Sequence, residues 1–247
     1  MNIFNNSEYD YLQDIQTTPL INLVLGVKGS GKTTFIINLL KFILANRSNT
    51  VYTCFCLVIP NLKTDQNYSN EYRFLEKLPN VYIYNEYNLY SLNHIEHLHN
   101  KGERIFWVID DATSSFQKSF GDKKFAFLNK IVTESRHVKI CMFIIAHTLA
   151  KAFSPLVRTL CDFIFVYRIN NSKLLEYIYY EFVSLNERYI DNRKLFFSDY
   201  SKLMKKKYSC MFINNRTGEI HTDVSDWLIM KLIDNKEIDK LIQSQRE

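Results

Sequence analysis

Short apolar runs alternate with longer amphipathic or apolar stretches along most of the chain. Six runs have the length and composition of buried β-strands, at 20–26, 51–59, 81–84, 104–110, 139–146 and 162–169. Five stretches are typical of helices, at 35–45, 88–100, 121–134, 149–160 and 172–185. Because strands that alternate with helices favour a parallel sheet covered by helices, the pattern predicts an α/β fold.

The pattern changes beyond about residue 190, where basic residues become more frequent. A strand is predicted at 208–213, a hairpin turn at 214–218 and a final helix at 224–245. We therefore expect a core over 1–189 and a C-terminal appendage over 190–247. The appendage either stands apart or belongs to the same domain.

A glycine-rich loop follows the first predicted strand and precedes the first predicted helix. Residues 26–33 have the sequence Gly-Val-Lys-Gly-Ser-Gly-Lys-Thr, which fits the Walker A pattern G-x-x-x-x-G-K-T. Glycines let successive amides point at phosphate oxygens, and the helix that follows adds the positive end of its dipole. The residues expected to bind the phosphates of a nucleoside triphosphate are Gly26, Val27, Lys28, Gly29, Ser30, Gly31, Lys32, Thr33 and Thr34.

Two residues of this loop have more specific predicted roles. Lys32 supplies a point charge for the β- and γ-phosphates, and the Thr33 hydroxyl is placed to ligate Mg²⁺. The acidic partner that such a loop requires comes later in the chain. The apolar strand at 104–110 ends in Asp110, and Asp111 follows it. We expect Asp110 to hold Mg²⁺ through water and Asp111 to polarise the attacking water, although such a pair can also cap a helix.

The strand at 139–146 is followed by His147. We expect this strand to lie between the loop strand and the acidic strand. In ATPases with such an inserted strand, a polar residue at its tip senses the γ-phosphate, and His147 has this position. A lone histidine at a strand end can equally be structural.

The spacing of several motifs resembles that of the DNA-packaging ATPases of giant viruses, poxviruses and virophages, which belong to the FtsK–HerA superfamily. The resemblance covers about 20–170. The matching residues are Arg136-His137, His147, Pro155-Leu156-Val157-Arg158 and a last apolar strand that ends in Arg168. The family usually has glutamine where this chain has His147, and residues beyond 190 match nothing that we can assign.

The resemblance implies a RecA-like P-loop ATPase core of the ASCE class that binds ATP and Mg²⁺. It implies an ATP-hydrolysing motor that moves double-stranded DNA into a viral capsid. Such motors form homo-oligomeric rings, here a pentamer or hexamer, and meet viral capsid proteins. Their active sites need an arginine from the neighbouring subunit. Arg136 and Arg158 are the candidates, and we favour Arg136, although either could be a salt-bridged structural arginine.

Two basic segments are candidates for contact with the DNA backbone. The first, which we prefer, follows the acidic strand and contains Lys118, Lys123 and Lys124. The second contains Arg193, Lys194, Lys202, Lys205, Lys206 and Lys207. Either could be a solvated face, which is the usual role of a charge run.

Composition adds few constraints. The net charge of +5 permits contact with nucleic acid without requiring it. The five cysteines form no C-x-x-C pair, which indicates reduced, buried thiols. Residues 1–8 lack the pattern of a signal peptide, and no uncharged run reaches the roughly 18 residues of a membrane helix. We expect no membrane contact and a location in the host cytoplasm or a viral factory.

Alternative functions remain open. The loop also suits a nucleoside or nucleotide kinase, but no arginine-rich lid segment is evident. A GTPase is disfavoured because Asn129-Lys130 lacks the aspartate that would contact guanine. A nucleotide-gated interaction protein with little turnover is a third class. The histidines His94, His97 and His99 favour a polar helix face over a metal site, because no partner ligand has suitable spacing.

Overall fold

A single sheet organises the chain. The computed structural model describes residues 10–60, 62, 72, 75–110, 126–149 and 155–222. The strands are β1 (Ile21–Leu25), β2 (Cys54–Val58), β3 (Val81–Tyr84), β4 (Ile105–Asp110), β5 (Ile140–Ala146), β6 (Phe163–Val166), β7 (Met211–Asn214) and β8 (Glu219–Thr222). They form one eight-stranded sheet in the order β3-β2-β4-β5-β1-β6-β7-β8.

Helices connect these strands. The α-helices are α1 (Asp10–Thr17), α2 (Lys32–Ala45), α3 (Leu89–Asn100), α4 (Ala126–Thr133), α5 (Ser135–Val138), α6 (Pro155–Leu160), α7 (Ser172–Ile178) and α8 (Arg193–Leu203). A π-helical turn, Tyr179–Val183, continues α7, and short 3₁₀ turns occur at Arg47–Asn49 and Leu75–Lys77.

The six neighbouring strands β3-β2-β4-β5-β1-β6 are all parallel, and their side chains are mostly buried on both faces. Apolar residues of α2 pack on one face, and those of α3 pack on the other. This double cover explains why the strand sequences are continuous apolar runs rather than alternating ones. The predicted α/β class, with a mostly parallel sheet flanked by helices, is confirmed.

The order of the central strands places the tips of three of them side by side. β5 lies between β4 and β1, as predicted, with Leu25 opposite Ala146 and Asp110 opposite Ile145. Parallel strands have their carboxyl ends at one edge of the sheet. The loop after β1, the carboxylate at the end of β4 and the residue after β5 therefore meet there.

The C-terminal part that the structure describes continues this sheet. β7 runs antiparallel to β6, with Met211 opposite Val166, and β8 runs antiparallel to β7. Phe196, Tyr200 and Leu203 of α8 pack into the same apolar cluster as the central strands. The division at 189/190 stays a prediction, and the predicted helix at 224–245 lies outside the described residues.

Several predicted element boundaries differ from those of the structure. The sequence pattern does not predict α1 or α8, which have 8 and 11 residues respectively. The side chain of Asn192 accepts a hydrogen bond from the Leu195 amide and so begins α8. In the predicted helix at 149–160, the described helical part begins at Pro155, a residue well suited to a first helical position.

All five cysteines are buried and free. Burial raises the pKa of the Cys141 thiol to about 12, and it also raises the pKa values of Cys161 and Cys210. Protonated thiols of this kind are weak nucleophiles and weak metal ligands.

The predicted histidine face lies on α3, where His94 Nδ1 is 2.7 Å from the Tyr84 hydroxyl. Within the described ranges, no three or more histidine, cysteine, aspartate or glutamate side chains are grouped so that they could hold a metal ion. In the same ranges, no helix is both long and apolar enough to cross a membrane.

Candidate active site

The glycine-rich loop is tied to the strands on both sides of it. The Gly26 amide donates to the Ala146 carbonyl on β5 at 3.2 Å, and the Val27 amide donates to the Arg168 carbonyl after β6 at 2.9 Å. The loop then ends at Gly31, which has φ 103° and immediately precedes α2. The loop is therefore held as a bridge between two strand ends.

Gly26 is needed for space. A Cβ atom at this position would lie 2.7 Å from the Tyr167 Cβ, 2.9 Å from the Ser30 Oγ and 3.2 Å from the Arg168 carbonyl oxygen. Any larger residue would push the loop away from β6. The first glycine of the motif therefore sets the close approach of loop and sheet.

The Lys32 side chain folds back over the loop and is buried. Its ammonium donates to the Gly26 carbonyl at 2.7 Å and to the Val27 carbonyl at 2.9 Å. A buried ammonium is stable only with such acceptors around it. This geometry places a positive charge against the loop, and the phosphate-binding role of Lys32 stays a prediction.

Thr33 and Asp110 approach each other from α2 and β4. The Thr33 hydroxyl donates to Asp110 Oδ2 at 3.3 Å, and the Tyr72 hydroxyl is 3.4 Å from the same oxygen. Asp110 is 2% exposed. A hydroxyl and a carboxylate at this separation are hard oxygen donors of the kind that Mg²⁺ prefers, so the pair fits the predicted metal.

His147 follows β5 and lies against the glycine-rich loop. Its Nδ1 atom is 2.8 Å from the Gly26 carbonyl oxygen and 3.4 Å from Lys32 Nζ. A carbonyl oxygen has two lone pairs and accepts from both residues, so we assign the histidine proton to Nδ1. That tautomer leaves Nε2 as an acceptor for a water or a protonated phosphate oxygen.

The two candidate arginines differ in what the structure describes. Arg158 is buried, with its Nε atom 3.1 Å from Glu181 Oε1 and its guanidinium 5.2 Å from the centre of the Tyr177 ring. This arrangement fits the structural alternative for Arg158. Arg136 belongs to α5, but its side chain lies outside the described residues, as does the whole of Asp111.

Of the two basic segments predicted to contact DNA, the structure describes only the second. Lys118, Lys123 and Lys124 lie outside the described residues. The second segment lies partly on α8 and partly in the connection from α8 to β7, and that connection reaches the phosphate loop. Arg168 Nη2 donates to the Met204 carbonyl at 2.8 Å, and the Tyr208 ring packs against Gly31.

Sequence reasoning missed this contribution of the 204–209 segment to the site. The segment and the loop residues 27–30 enclose a cavity of about 270 Å³, together with Arg168 and Asn170. A basic run beside an aromatic residue, Lys205 to Tyr208, was the available signal, but nothing in the sequence shows that β7 turns back beside β6.

The chain is similar to known proteins in sequence and in fold. No protein-family model matches the sequence. The chain is 26% identical over 219 residues to an uncharacterised protein, 015R, of Frog virus 3 (isolate Goorha). That match covers 85% of this chain but 60% of the viral protein, so the chain spans well under the full length of this relative.

Solved structures are similar over most of the chain. The genome-packaging NTPase B204 of Sulfolobus turreted icosahedral virus 2 has a TM-score of 0.58 at 18% identity, covering 83% of this chain and 96% of B204. The conjugation coupling protein TcpA of pCW3 has a TM-score of 0.55 at 14% identity, covering 94% and 66% respectively. The cytoplasmic domain of EssC has a TM-score of 0.52 at 12% identity, covering 92% and 45%.

These similarities bear on the resemblance found in the sequence. The mixed α/β fold of this chain is similar to that of a viral genome-packaging NTPase, a conjugation coupling protein and the cytoplasmic domain of EssC. The chain therefore has the fold of these solved structures, and that likeness agrees with the resemblance found in the sequence.

Proposed function

We propose that this protein is an ATPase that moves double-stranded DNA into a viral capsid. The observation that carries the proposal is the meeting of Lys32, Thr33, Asp110 and His147, from three distant parts of the sequence, around one phosphate loop. The neighbour B204 supports it, since that protein is described as a genome-packaging NTPase in complex with AMPPCP and with ATP-gammaS.

The loop would bind the triphosphate through its amides and through Lys32. Phosphate oxygens are stronger acceptors than carbonyls, so they would replace Gly26 and Val27 as partners of the ammonium. The residues of the cradle remain those at 26–34. Because the Lys32 ammonium starts within hydrogen-bond distance of the loop, its charge is already positioned when the nucleotide arrives.

The side chains near β4 and β5 would act at the γ-phosphate. Thr33 and Asp110 would hold Mg²⁺, which supplies positive charge between the β- and γ-phosphates. His147 would accept a hydrogen bond at Nε2 and so orient the water that attacks in line. Asp111 remains the candidate that polarises this water, and Arg136 the candidate that reaches a neighbour's γ-phosphate.

The remaining expectations concern assembly and partners. The proposal includes a homo-oligomeric ring, a pentamer or hexamer, with double-stranded DNA in its channel and viral capsid proteins at its outer contacts. Lys118, Lys123 and Lys124 are proposed to contact the DNA backbone. The site of action is the host cytoplasm or a viral factory.

Phosphate release with and without double-stranded DNA tests the proposed motor. We expect DNA to stimulate turnover and Lys32→Ala to abolish it, whereas Lys41→Ala, on the same helix α2, leaves it unchanged. Asp111→Asn should also abolish turnover. Assembled protein that shows no DNA stimulation, or an active Asp111→Asn variant, contradicts the motor, and phosphate transfer to a nucleoside would identify a kinase instead.

Mixed assemblies test the arginine from the neighbouring subunit. Arg136→Ala subunits have an intact loop, and Lys32→Ala subunits have an intact arginine. If Arg136 acts across the interface, mixing the two inactive variants restores part of the turnover. No restoration at any ratio would show that Arg136 acts within its own subunit or only in folding.

A further inference from the structure

The cavity of about 270 Å³ lies directly beside the phosphate loop. Loop residues 27–30 form one wall, and Arg168, Asn170 and the 204–209 segment form the other. A ligand with its phosphates on the loop therefore has this cavity immediately next to it.

The arrangement of the sheet gives the direction in which such a ligand lies. Asp110 and His147 follow β4 and β5, which lie on one side of β1. The cavity lies on the opposite side of β1, at the ends of β6 and β7. A triphosphate whose γ-phosphate faces Asp110 has its nucleoside end toward β6 and β7.

The wall formed by the 204–209 segment is held in place by side chains that donate to its carbonyl groups. Arg168 Nη2 donates to the Met204 carbonyl at 2.8 Å, and the Arg168 carbonyl accepts from the Val27 amide at 2.9 Å. One residue thus connects the loop to the segment. The Ser209 hydroxyl donates to the Lys206 carbonyl at 2.9 Å, which closes the turn that presents Tyr208.

Tyr208 has an unusual conformation for an aromatic residue. Its φ is 64°, in the left-handed region that bulky side chains rarely adopt. Its ring lies 3.2 Å from the position that a Cβ of Gly31 would occupy, yet the residue is 47% exposed. Backbone strain of this kind persists mainly where a binding or catalytic role requires it.

A second observation points to a ligand in the same cavity. Ser30 lines it and is 8% exposed, and within the described part of the chain its hydroxyl has no hydrogen-bond partner. A buried hydroxyl without a hydrogen-bond partner has a cost in stability. A polar group of a bound ligand would remove that cost.

We propose that this cavity receives the nucleoside of the bound triphosphate and that the Tyr208 ring contacts its base. The assignment rests on the proposed binding of a triphosphate to the loop. Lys207 Nζ lies 4.7 Å from the centre of the Tyr208 ring. A base that stacks on this face of the ring would displace the ammonium. Stacking on an aromatic ring suits any base, so Tyr208 adds affinity for nucleosides rather than choosing among bases.

Binding of ATP compared with binding of inorganic tripolyphosphate, both with Mg²⁺, tests this role. Tyr208→Ala should weaken ATP binding about tenfold and leave tripolyphosphate binding unchanged, because only ATP carries a base. Tyr208→Phe should bind both as the wild type does. Tyr90→Ala, which removes a 75% exposed tyrosine from α3, is the control and should change neither.

Tyr208→Leu separates the ring's contact with the base from its packing on Gly31. Leucine keeps apolar contact with the loop but offers no flat face, so it should behave as Tyr208→Ala does. Equal weakening of ATP and tripolyphosphate in both variants would overturn the proposal, and so would unchanged ATP binding. Wild-type protein that binds neither ligand would refute the phosphate site itself. A Lys32→Ala variant that binds both ligands as tightly as the wild type does would refute it too.

Discussion

The two sides of the phosphate loop are built by different means. On one side, which we call the acidic flank, the Thr33 hydroxyl meets the Asp110 carboxylate, and the His147 ring contacts the Gly26 carbonyl of the loop. On the other, the basic flank, the Arg168 carbonyl accepts from the loop, its side chain donates to the Met204 carbonyl, and the Tyr208 ring packs on Gly31. The acidic flank depends on the types of its side chains, whereas the basic flank depends mainly on carbonyl groups and on the path of the chain.

This difference explains what each flank can tolerate. Metal binding and phosphate chemistry require a carboxylate, a hydroxyl and an ammonium at fixed places, so few substitutions preserve them. A wall made by carbonyl groups and shape can be formed by many sequences. Changes in the acidic flank should therefore reduce turnover strongly, and changes in the basic flank should reduce affinity moderately.

Asp110→Asn should have the largest effect. The amide keeps the shape of the carboxylate but loses the charge that would hold Mg²⁺, so turnover should fall at least about a hundredfold. Steady-state phosphate release at saturating ATP measures it. Asp199→Asn, which changes a carboxylate on α8 that pairs with Arg188, is the control. Activity above a tenth of wild type would break the distinction between the flanks.

Gly26→Ala should affect both flanks together. The added methyl would lie 2.7 Å from the Tyr167 Cβ. To relieve this clash the loop must move, which shifts the Gly26 carbonyl that both Lys32 and His147 contact. We expect ATP affinity to fall more than tenfold, in line with the cost of overpacking. In Gly102→Ala, the control, no atom lies within 4 Å of the added methyl group. Unchanged affinity for Gly26→Ala would show that the loop is not held by β6.

His147→Ala should have a smaller effect on turnover. It removes the ring that the Gly26 carbonyl holds and that would orient the attacking water through one hydrogen bond, worth about 1 kcal/mol, so kcat should fall about fivefold. His147→Gln retains both a donor and an acceptor and should stay close to wild type. If glutamine is as damaging as alanine, the imidazole itself takes part in proton transfer, and the acidic flank has a second chemical requirement.

Arg168→Ala tests the basic flank and should act on KM alone. Loss of the bond to the Met204 carbonyl loosens the 204–209 segment, so KM for ATP should rise about threefold with kcat unchanged. Arg216→Ala, which removes an arginine beside Asp14, is the control. A fall in kcat with unchanged KM would place Arg168 in the chemistry rather than in the wall.

Arg158→Ala should leave turnover per folded subunit unchanged, the smallest effect of the series. The loss of its contacts with Glu181 and Tyr177 should lower the free energy of unfolding by about 1–3 kcal/mol. Thermal unfolding beside steady-state turnover measures both. A drop of about a thousandfold in kcat without a change in Tm would restore Arg158 as the arginine that reaches a neighbouring subunit.

The same contrast explains how far the sequence alone could lead. The order β4-β5-β1 and the positions of Lys32, Thr33, Asp110 and His147 followed from motifs and strand patterns, because each motif requires its structural context. α8 and the turn of the chain into β7 did not follow. They depend on an Asn192 cap and on antiparallel pairing with β6, which short stretches of sequence do not specify.

The burial of all five cysteines has a practical consequence for experiments on this protein. With no thiol at the surface and with the pKa of Cys141 near 12, maleimide reagents should leave the native wild-type chain unmodified. A cysteine introduced at an exposed position such as Tyr180 would then be the single site at which a maleimide fluorophore reacts. Subunit assembly and movement could be followed by energy transfer without first removing the native cysteines.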